Sequence, residues 1–394
     1  MRLRAPHIIG IALIGLGIAA VLVVQLLGLG RGGSDGRPSG PLTVVQGVVG
    51  SEKQAFFDDP EVQRVFADHG FDVRVTSSGS LRMASLPDLA ENDFAFPASA
   101  IAAKNIEDKV DGVVGTHELF FSPMAVATFQ PILDLLAENG VAEQGADDKW
   151  VIDIAAYLEL VAADTRWNQL EGSEAYASPR TVLITSTDIR SSNSAAMYLS
   201  LAAYVLADNS VVTSQTQAQK LLPELGKLFL AQGYSGSSSA APFATYLAQG
   251  MGAVPMVMIY EGQFLEELIK ENSRITDEMV LAYPSPTFFS THTGVTFSEH
   301  GEQVMRVISE DAELARLLAV HGFRATGDNQ ALFTEFVAEQ GLEAEFASPG
   351  SFVNIAQEPS YEVLDYLLTR IGEEYDLSGA PPAPSEAEAE GSQP

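Results

Sequence analysis

Apolar runs of two periodicities alternate along the chain from residue 42 to residue 378, and this alternation restricts the fold more than any other feature. The run 42–49 (LTVVQGVV) has the apolar continuity of a buried strand. Residues 52–68 space Phe56, Val62, Val65 and Phe66 along one helical face, and 71–76 alternates as a strand. The pattern continues with a short strand at 93–96, ended by Pro97, and a long apolar stretch at 117–129, strand-like apart from Pro123. Helices are predicted over 131–138, 149–163, 192–206, 301–321 and 360–374, and strands over 181–185, 254–260 and 279–283. Strands separated by helices predict an α/β body with a mainly parallel sheet. A body of this length fits two α/β lobes better than one. No period of 20–50 residues marks a repeat fold.

The flanks differ in kind from the body. Residues 8–29 are 22 residues without a charge, and a helix of about 20 apolar residues spans a bilayer. This run is longer than a signal-peptide core and ends in a poor cleavage site, so an uncleaved signal anchor is expected over 1–30. Arg2 and Arg4 precede the span, and Arg31 and Arg37 follow it, so charge alone biases its orientation weakly. The short N-terminal flank and the acidic bulk after it place the C-terminal body outside the cytoplasmic membrane. Residues 31–41 read as a flexible Gly/Ser/Pro tether. Residues 379–394 read as a disordered acidic tail.

The body carries 18 basic and 48 acidic residues, so the net charge of −30 belongs to the globular part. That excess argues against nucleic acid and against docking on an anionic membrane surface. The absence of cysteine removes disulfides, thiolate metal sites, a cysteine nucleophile and a lipid-modified cysteine anchor. None of the six histidines (His7, His69, His117, His292, His300, His321) stands in a metal-binding pair spacing. No phosphate loop or dinucleotide fingerprint is present, and Gly233-Tyr-Ser235-Gly-Ser237 misses the last glycine of a nucleophile elbow. No cofactor, no metal and no enzymatic reaction are therefore expected.

In open α/β sheets ligands bind beyond the carboxyl ends of strands, where helices begin. Three junctions have suitable chemistry. The first is Gly50-Ser51-Glu52. The second is the loop holding Ser78, Gly79 and Ser80, leading to Arg82. The third runs from Ser186 through Thr187, Asp188, Arg190, Ser192 and Asn193 to Ser194. A helix start with hydroxyls suits an anion or a polar oxygen. Arg190 offers a fork of donors, or else forms an internal ion pair with Asp188. Tyr260 and Glu261, at the end of a strand, read either as a stacking wall and an acceptor or as ordinary strand-end residues.

Eight segments together carry a family resemblance: GSEKQAFFDDPEVQ (50–63), GSLRMA (79–84), DFAFPASAIAAKNI (93–106), FFSPMAVATF (120–129), TSTDIRSSNSAAMYL (185–199), GMGAVPMVMIYEGQFLE (250–266), YPSPTFFSTHTGV (283–295) and LLAVHGFR (317–324). The chain resembles extracellular solute-binding proteins of class II periplasmic-binding-protein fold. Within them it is similar to an actinobacterial membrane-anchored group, distantly related to phosphate- and molybdate-type binding proteins. The resemblance implies two lobes joined by two crossover strands, the first formed by 42–125 and 296–378 and the second by 126–295. The crossings would lie in FFSPMAVATF and FFSTHTGVTF. It implies that Gly50, Ser51, Ser78–Ser80, Thr187–Asn193, Tyr260 and Glu261 meet a small polar or anionic solute in the cleft, for transfer to an ABC-type permease. The alternative is a sensor or partner-binding module of the cell envelope with the same fold. Three places depart from the family pattern: the anchor cysteine is missing, Thr291 stands where Lys often follows Ser, and Leu81 stands where Arg is expected.

Overall fold

The computed structural model describes residues 41–145, 147–232, 240–352 and 354–377. The expected membrane helix, the acidic tail, nearly all of the tether and the serine-rich run 233–239 lie outside the described residues. Ten strands form one mixed sheet: β1 Thr43–Val49, β2 Phe71–Ser77, β3 Phe94–Phe96, β4 Gly115–Phe129, β5 Ala142–Gln144, β6 Trp150–Asp153, β7 Val257–Tyr260, β8 Met279–Ser285, β9 Phe289–Thr296 and β10 Arg324–Ala325. The helices are α1 Gln54–Asp58, α2 Pro60–Asp68, α3 Ala100–Lys109, α4 Gln130–Glu138, α5 Ile154–Ala162, α6 Asn193–Leu206, α7 Gln215–Leu230, α8 Ala240–Gln249, α9 Glu261–Leu268, α10 Glu299–Glu310, α11 Ala312–Val320, α12 Ala331–Glu339 and α13 Tyr361–Leu377.

The strand order is β2-β1-β3-β9-β4-β8-β6-β5, with β7 and β10 also paired to β4. The fifteen-residue β4 ties the two halves together. Its segment 115–123 pairs antiparallel with β9, and its segment 124–129 pairs with β7 and β8. Pro123, which has no N–H to give a ladder, sits at this change of partner. The sheet is mixed rather than mainly parallel. Only β1–β2, β1–β3 and β6–β8 are parallel among the described pairings. The expectation assumed a helical crossover between successive strands. Instead β8 and β9 follow each other across the halves through a three-residue link, and both run against β4.

Local chemistry moves several expected boundaries. The helix expected over 52–68 breaks at Asp59, whose side chain accepts from the Glu61 N–H and starts α2 ahead of Pro60. Asp311 likewise splits 301–321 by accepting from the Glu313 and Leu314 amides. Residues 150–153 form a strand, not the first turn of a helix, and Asp153 caps α5. The segment 181–185 touches neighbouring backbone only through isolated bridges at Thr181 and Thr185.

Two cores result. One gathers Val45, Phe56, Phe66, Phe94, Phe120 and Leu318 beneath α1, α2, α10 and α11. The other surrounds Val126, Ile152, Leu199, Leu228 and Met258. The segment 296–378, expected wholly in the first lobe, divides between them. α10 and α11 pack on the first core, whereas Phe333, Phe336, Leu364, Leu367 and Ile371 belong to the second. The apolar face of α13 finds its partner on α7, and that contact decides the assignment.

The two halves also touch backbone to backbone. A Cβ on Gly262, in the first turn of α9, would lie 2.7 Å from the Gly322 carbonyl oxygen; one on Gly322, at φ +75°, would lie 2.3 Å from Gly262 Cα. No side chain can give way there. Gly262→Ala is expected to lower stability by about 1–3 kcal/mol, and Gly322→Ala by more, because its φ also disfavours a side chain. Chemical denaturation of both variants measures this order.

Candidate functional site

The parallel strands β1, β2 and β3 end at one edge, and hydrogen bonds lock their exit loops together. The Ser78 N–H donates to Val49 O at 2.9 Å and the Gly50 N–H to Phe96 O at 3.1 Å. The buried Ser80 hydroxyl accepts from the Ala98 N–H at 2.9 Å. From the other half come the 186–192 loop, which enters α6, and Tyr260, which ends β7. The halves meet here, since a Cβ on Gly79 would stand 3.4 Å from Ser191 O. Asn193 Nδ2 donates to the Tyr260 hydroxyl at 3.2 Å. Gly50, Ser51, Ser78, Gly79, Ser80, Thr187, Ser192, Asn193 and Tyr260 therefore occupy neighbouring loops and strand ends.

The third junction differs in detail from its expected chemistry. Ser192 occupies the N-cap position of α6 but makes no side-chain cap. Its hydroxyl joins Thr187 (2.7 Å) and Ser194 (3.1 Å) in a buried triangle closed by a Thr187–Ser194 contact of 2.8 Å. The first-turn amides of α6 thus carry the positive end of the helix dipole without a side-chain acceptor from Ser192. The Ser186 and Ser191 hydroxyls are buried without a hydrogen-bond partner.

Asp188 and Arg190 form the internal pair. Arg190 Nε donates to Asp188 at 2.9 Å, its NH1 group donates to Asp376 on α13 at 2.7 Å, and its guanidinium lies 4.7 Å from the centroid of the Tyr375 ring. Hydrogen bonding to Asp188 and then to Asp376 outweighs burial and raises the Arg190 pKa further. The guanidinium ties the α6 entry loop to α13, so its fork is already engaged. Glu261 also differs from expectation. It is fully buried and accepts from Arg324 Nε (2.7 Å) and NH2 (2.8 Å) and from the Tyr283 hydroxyl. Arg324 donates on to Ala347 O at 2.7 Å and stacks 4.0 Å from the Phe333 ring centroid. Glu261 is thus an internal anchor between α9 and β10, not a cleft acceptor.

Several residues outside the expected set complete the site. Between the halves lies a cavity of about 150 Å³, lined among others by Ser51, Glu52, Ser122, Tyr260, Glu266 and Phe323. Glu52 accepts from Lys53, whose ammonium is buried and also bonds His292 Nδ1 at 2.9 Å. Burial lowers the Lys53 pKa despite Glu52, and burial with Lys53 beside it lowers that of His292 well below the usual range. A neutral imidazole receiving from Lys53 at Nδ1 presents Nε2 to the Ser290 hydroxyl 3.4 Å away. That hydroxyl donates to Ala98 O at 2.6 Å. Strand alternation puts His292 and Ser290 on one face of β9, and register pairs them with Phe120 and Ser122 on β4. Burial and the nearby Glu52 carboxylate hold the Tyr260 pKa up. Glu52 stands in the first sequence junction; Lys53, Ser122 and His292 carry no local signal that would single them out.

Glu358 also acts electrostatically on Tyr260. Burial pushes its carboxyl up to about 7 from an ordinary value of 4.5, against a hydrogen bond from the Ile101 backbone. Between those pH values the unfolded chain has released the proton and the folded chain keeps it, so stability falls as pH rises through the window. Glu358→Gln removes the effect. Its Tm is expected to exceed that of the wild type at pH 8, by the equivalent of about 3 kcal/mol, and to match it below pH 4.5. Thermal unfolding across pH 4–8.5 checks this.

No family model matches the sequence, and no curated protein matches it. Solved structures do. The chain is similar to a ferric binding protein from Campylobacter jejuni, at 10% identity and a TM-score of 0.56, over 86% of this chain and 100% of that one. It is also similar to a periplasmic thiamin binding protein, at 12% identity and a TM-score of 0.50, over 88% of this chain and 99% of that one. The likeness is one of fold: an α/β body with a mixed sheet shared with these two binding proteins.

Proposed function

We propose that this chain is an extracytoplasmic solute-binding protein of the class II type. In this reading the helix over 8–29 holds it to the membrane, and a small polar solute is captured between its lobes for an ABC-type permease. The observation that carries the reading is a partly open cavity lined from both halves, by Ser51 and Glu52 after β1 and by Tyr260 at the end of β7, beside strands that cross between the halves. Its volume of about 150 Å³ suits a small solute. The function is binding rather than catalysis, in keeping with the two binding proteins that share the fold. The eight sequence segments quoted above favour the actinobacterial membrane-anchored group.

In this reading the solute replaces water at hydroxyls that lack partners and at the first-turn amides of α6. In the sequence the serines, the helix start and Arg190 together suit an anionic or polar solute. With Arg190 committed to Asp188 and Asp376, a polar oxygen on the solute relies on α6 and on Tyr260 and Asn193. Solute contacts to both halves then favour the closed arrangement over an open one, the hinge lying in β4 and the β8–β9 link.

The test is thermal unfolding of the purified chain against a panel of amines, amino acids, sugars, phosphate, sulfate and molybdate, with small-angle scattering on any solute that binds. A ligand at 100 times its Kd adds about 2.7 kcal/mol, which raises Tm by several degrees. Binding is expected to reduce the radius of gyration, and Asn193→Ala is expected to weaken it about tenfold without loss of fold. A panel that leaves Tm and shape unchanged would turn the reading towards an envelope partner-binding module.

A further inference from the structure

Ser122 lies in the middle of β4, 1% exposed, and its hydroxyl has no hydrogen-bond partner. A buried hydroxyl left unpaired costs about 1–3 kcal/mol, and Ser122 lines the interlobe cavity. An alanine would pack there without that cost. The unpaired oxygen therefore points to a group that is present in only one state of the protein.

The charges around the same cavity indicate what that group is. Glu52 and Glu266 line it. The positive groups beside it are both spoken for. Lys53 is held by Glu52 and His292. His321 bridges Asp59 at 2.9 Å and Glu266 at 3.7 Å. Three carboxylates thus face one ammonium and one imidazole, which leaves the surroundings net negative in either protonation state of His321. Burial opposes protonation of His321, but Glu266 and Asp59 outweigh it and raise its pKa. An anion entering this partly open cavity would meet carboxylates while Lys53 and His321 are already paired; a cation would meet attraction. The lining agrees with this sign, because it includes the aromatic residues Tyr260 and Phe323.

Resting on the solute-binding reading, we infer that the solute carries a protonated amine, seated against Glu52 with the Ser122 hydroxyl as a second acceptor. A polar oxygen elsewhere on the same molecule would face α6. The ammonium donates its N–H groups to oxygens that have lone pairs to spare, so no covalent step is involved.

Calorimetric titration of the full chain tests this with ethanolamine and putrescine, each against its neutral counterpart, ethylene glycol or 1,4-butanediol, and with phosphate and acetate alongside. The amines are expected to bind about tenfold or more tightly than the diols. Glu52→Gln is expected to remove that preference. Because Glu52→Gln also strips the partner from buried Lys53, Ser122→Ala serves as the second variant. It breaks no hydrogen bond of the free protein, so its unfolding without solute should match or exceed that of the wild type, while amine affinity falls. Amine affinity that is unchanged in folded Ser122→Ala and folded Glu52→Gln would overturn the inference. Equal or tighter binding of the diols or of phosphate would also overturn it while leaving the solute-binding reading standing. If no compound of any class binds, that reading itself fails.

Discussion

One strand holds this molecule together. β4 gives its first nine residues to β9 and its last six to β7 and β8, so the backbone ladders of both halves converge on a single run of chain. Every other positional relation follows from that sharing. The loops after β1, β2 and β3 face the loop before α6 because β9 and β8, the neighbours of β4, continue into one another across the halves. The cavity lies beside Ser122, next to Pro123 at the change of ladder partners. Pro123 has no N–H to give a ladder, and it stands at the residue where β4 passes from β9 to β7.

Buried charge reinforces the same junction. Glu261 belongs to α9 and Arg324 to β10, and the carboxylate receives both arms of the guanidinium with Tyr283 completing the set. A pair of this kind recovers its desolvation only when the remaining donors are also met. Arg324 meets that condition through Ala347 O and the Phe333 ring. The Arg190 pair does comparable service at the α6 entry. In both places a charge that the sequence offers as a ligand contact is consumed in holding two elements in position. The site is consequently left with hydroxyls, amides and the carboxylates of Glu52 and Glu266.

The sequence disclosed the α/β alternation and the loops at strand ends, because apolar periodicity and the Gly/Ser punctuation after each run are local properties. It disclosed less wherever a partner is distant. Glu261 finds Arg324 63 residues away, and Lys53 finds His292 239 residues away. Nothing near Glu261 tells whether its carboxylate faces a cleft or a guanidinium. Strand direction differs from the expectation for a related reason: it depends on the path of the chain between halves, which apolar periodicity does not report. Asp59, Asp153 and Asp311 show the opposite case. Their capping is local, but each stands inside an apolar pattern that reads through it as a single helix.

The contact between Gly262 and Gly322 borders the cavity from the side of α9. Side chains at an interface are compliant, because they change rotamer and absorb small displacements; two peptide planes in direct contact are not. The halves can pivot about this point or slide past it, but they cannot be pressed closer together there. It sets a stop: at Gly262 backbone contact, and not side-chain packing, fixes how near the two halves stand.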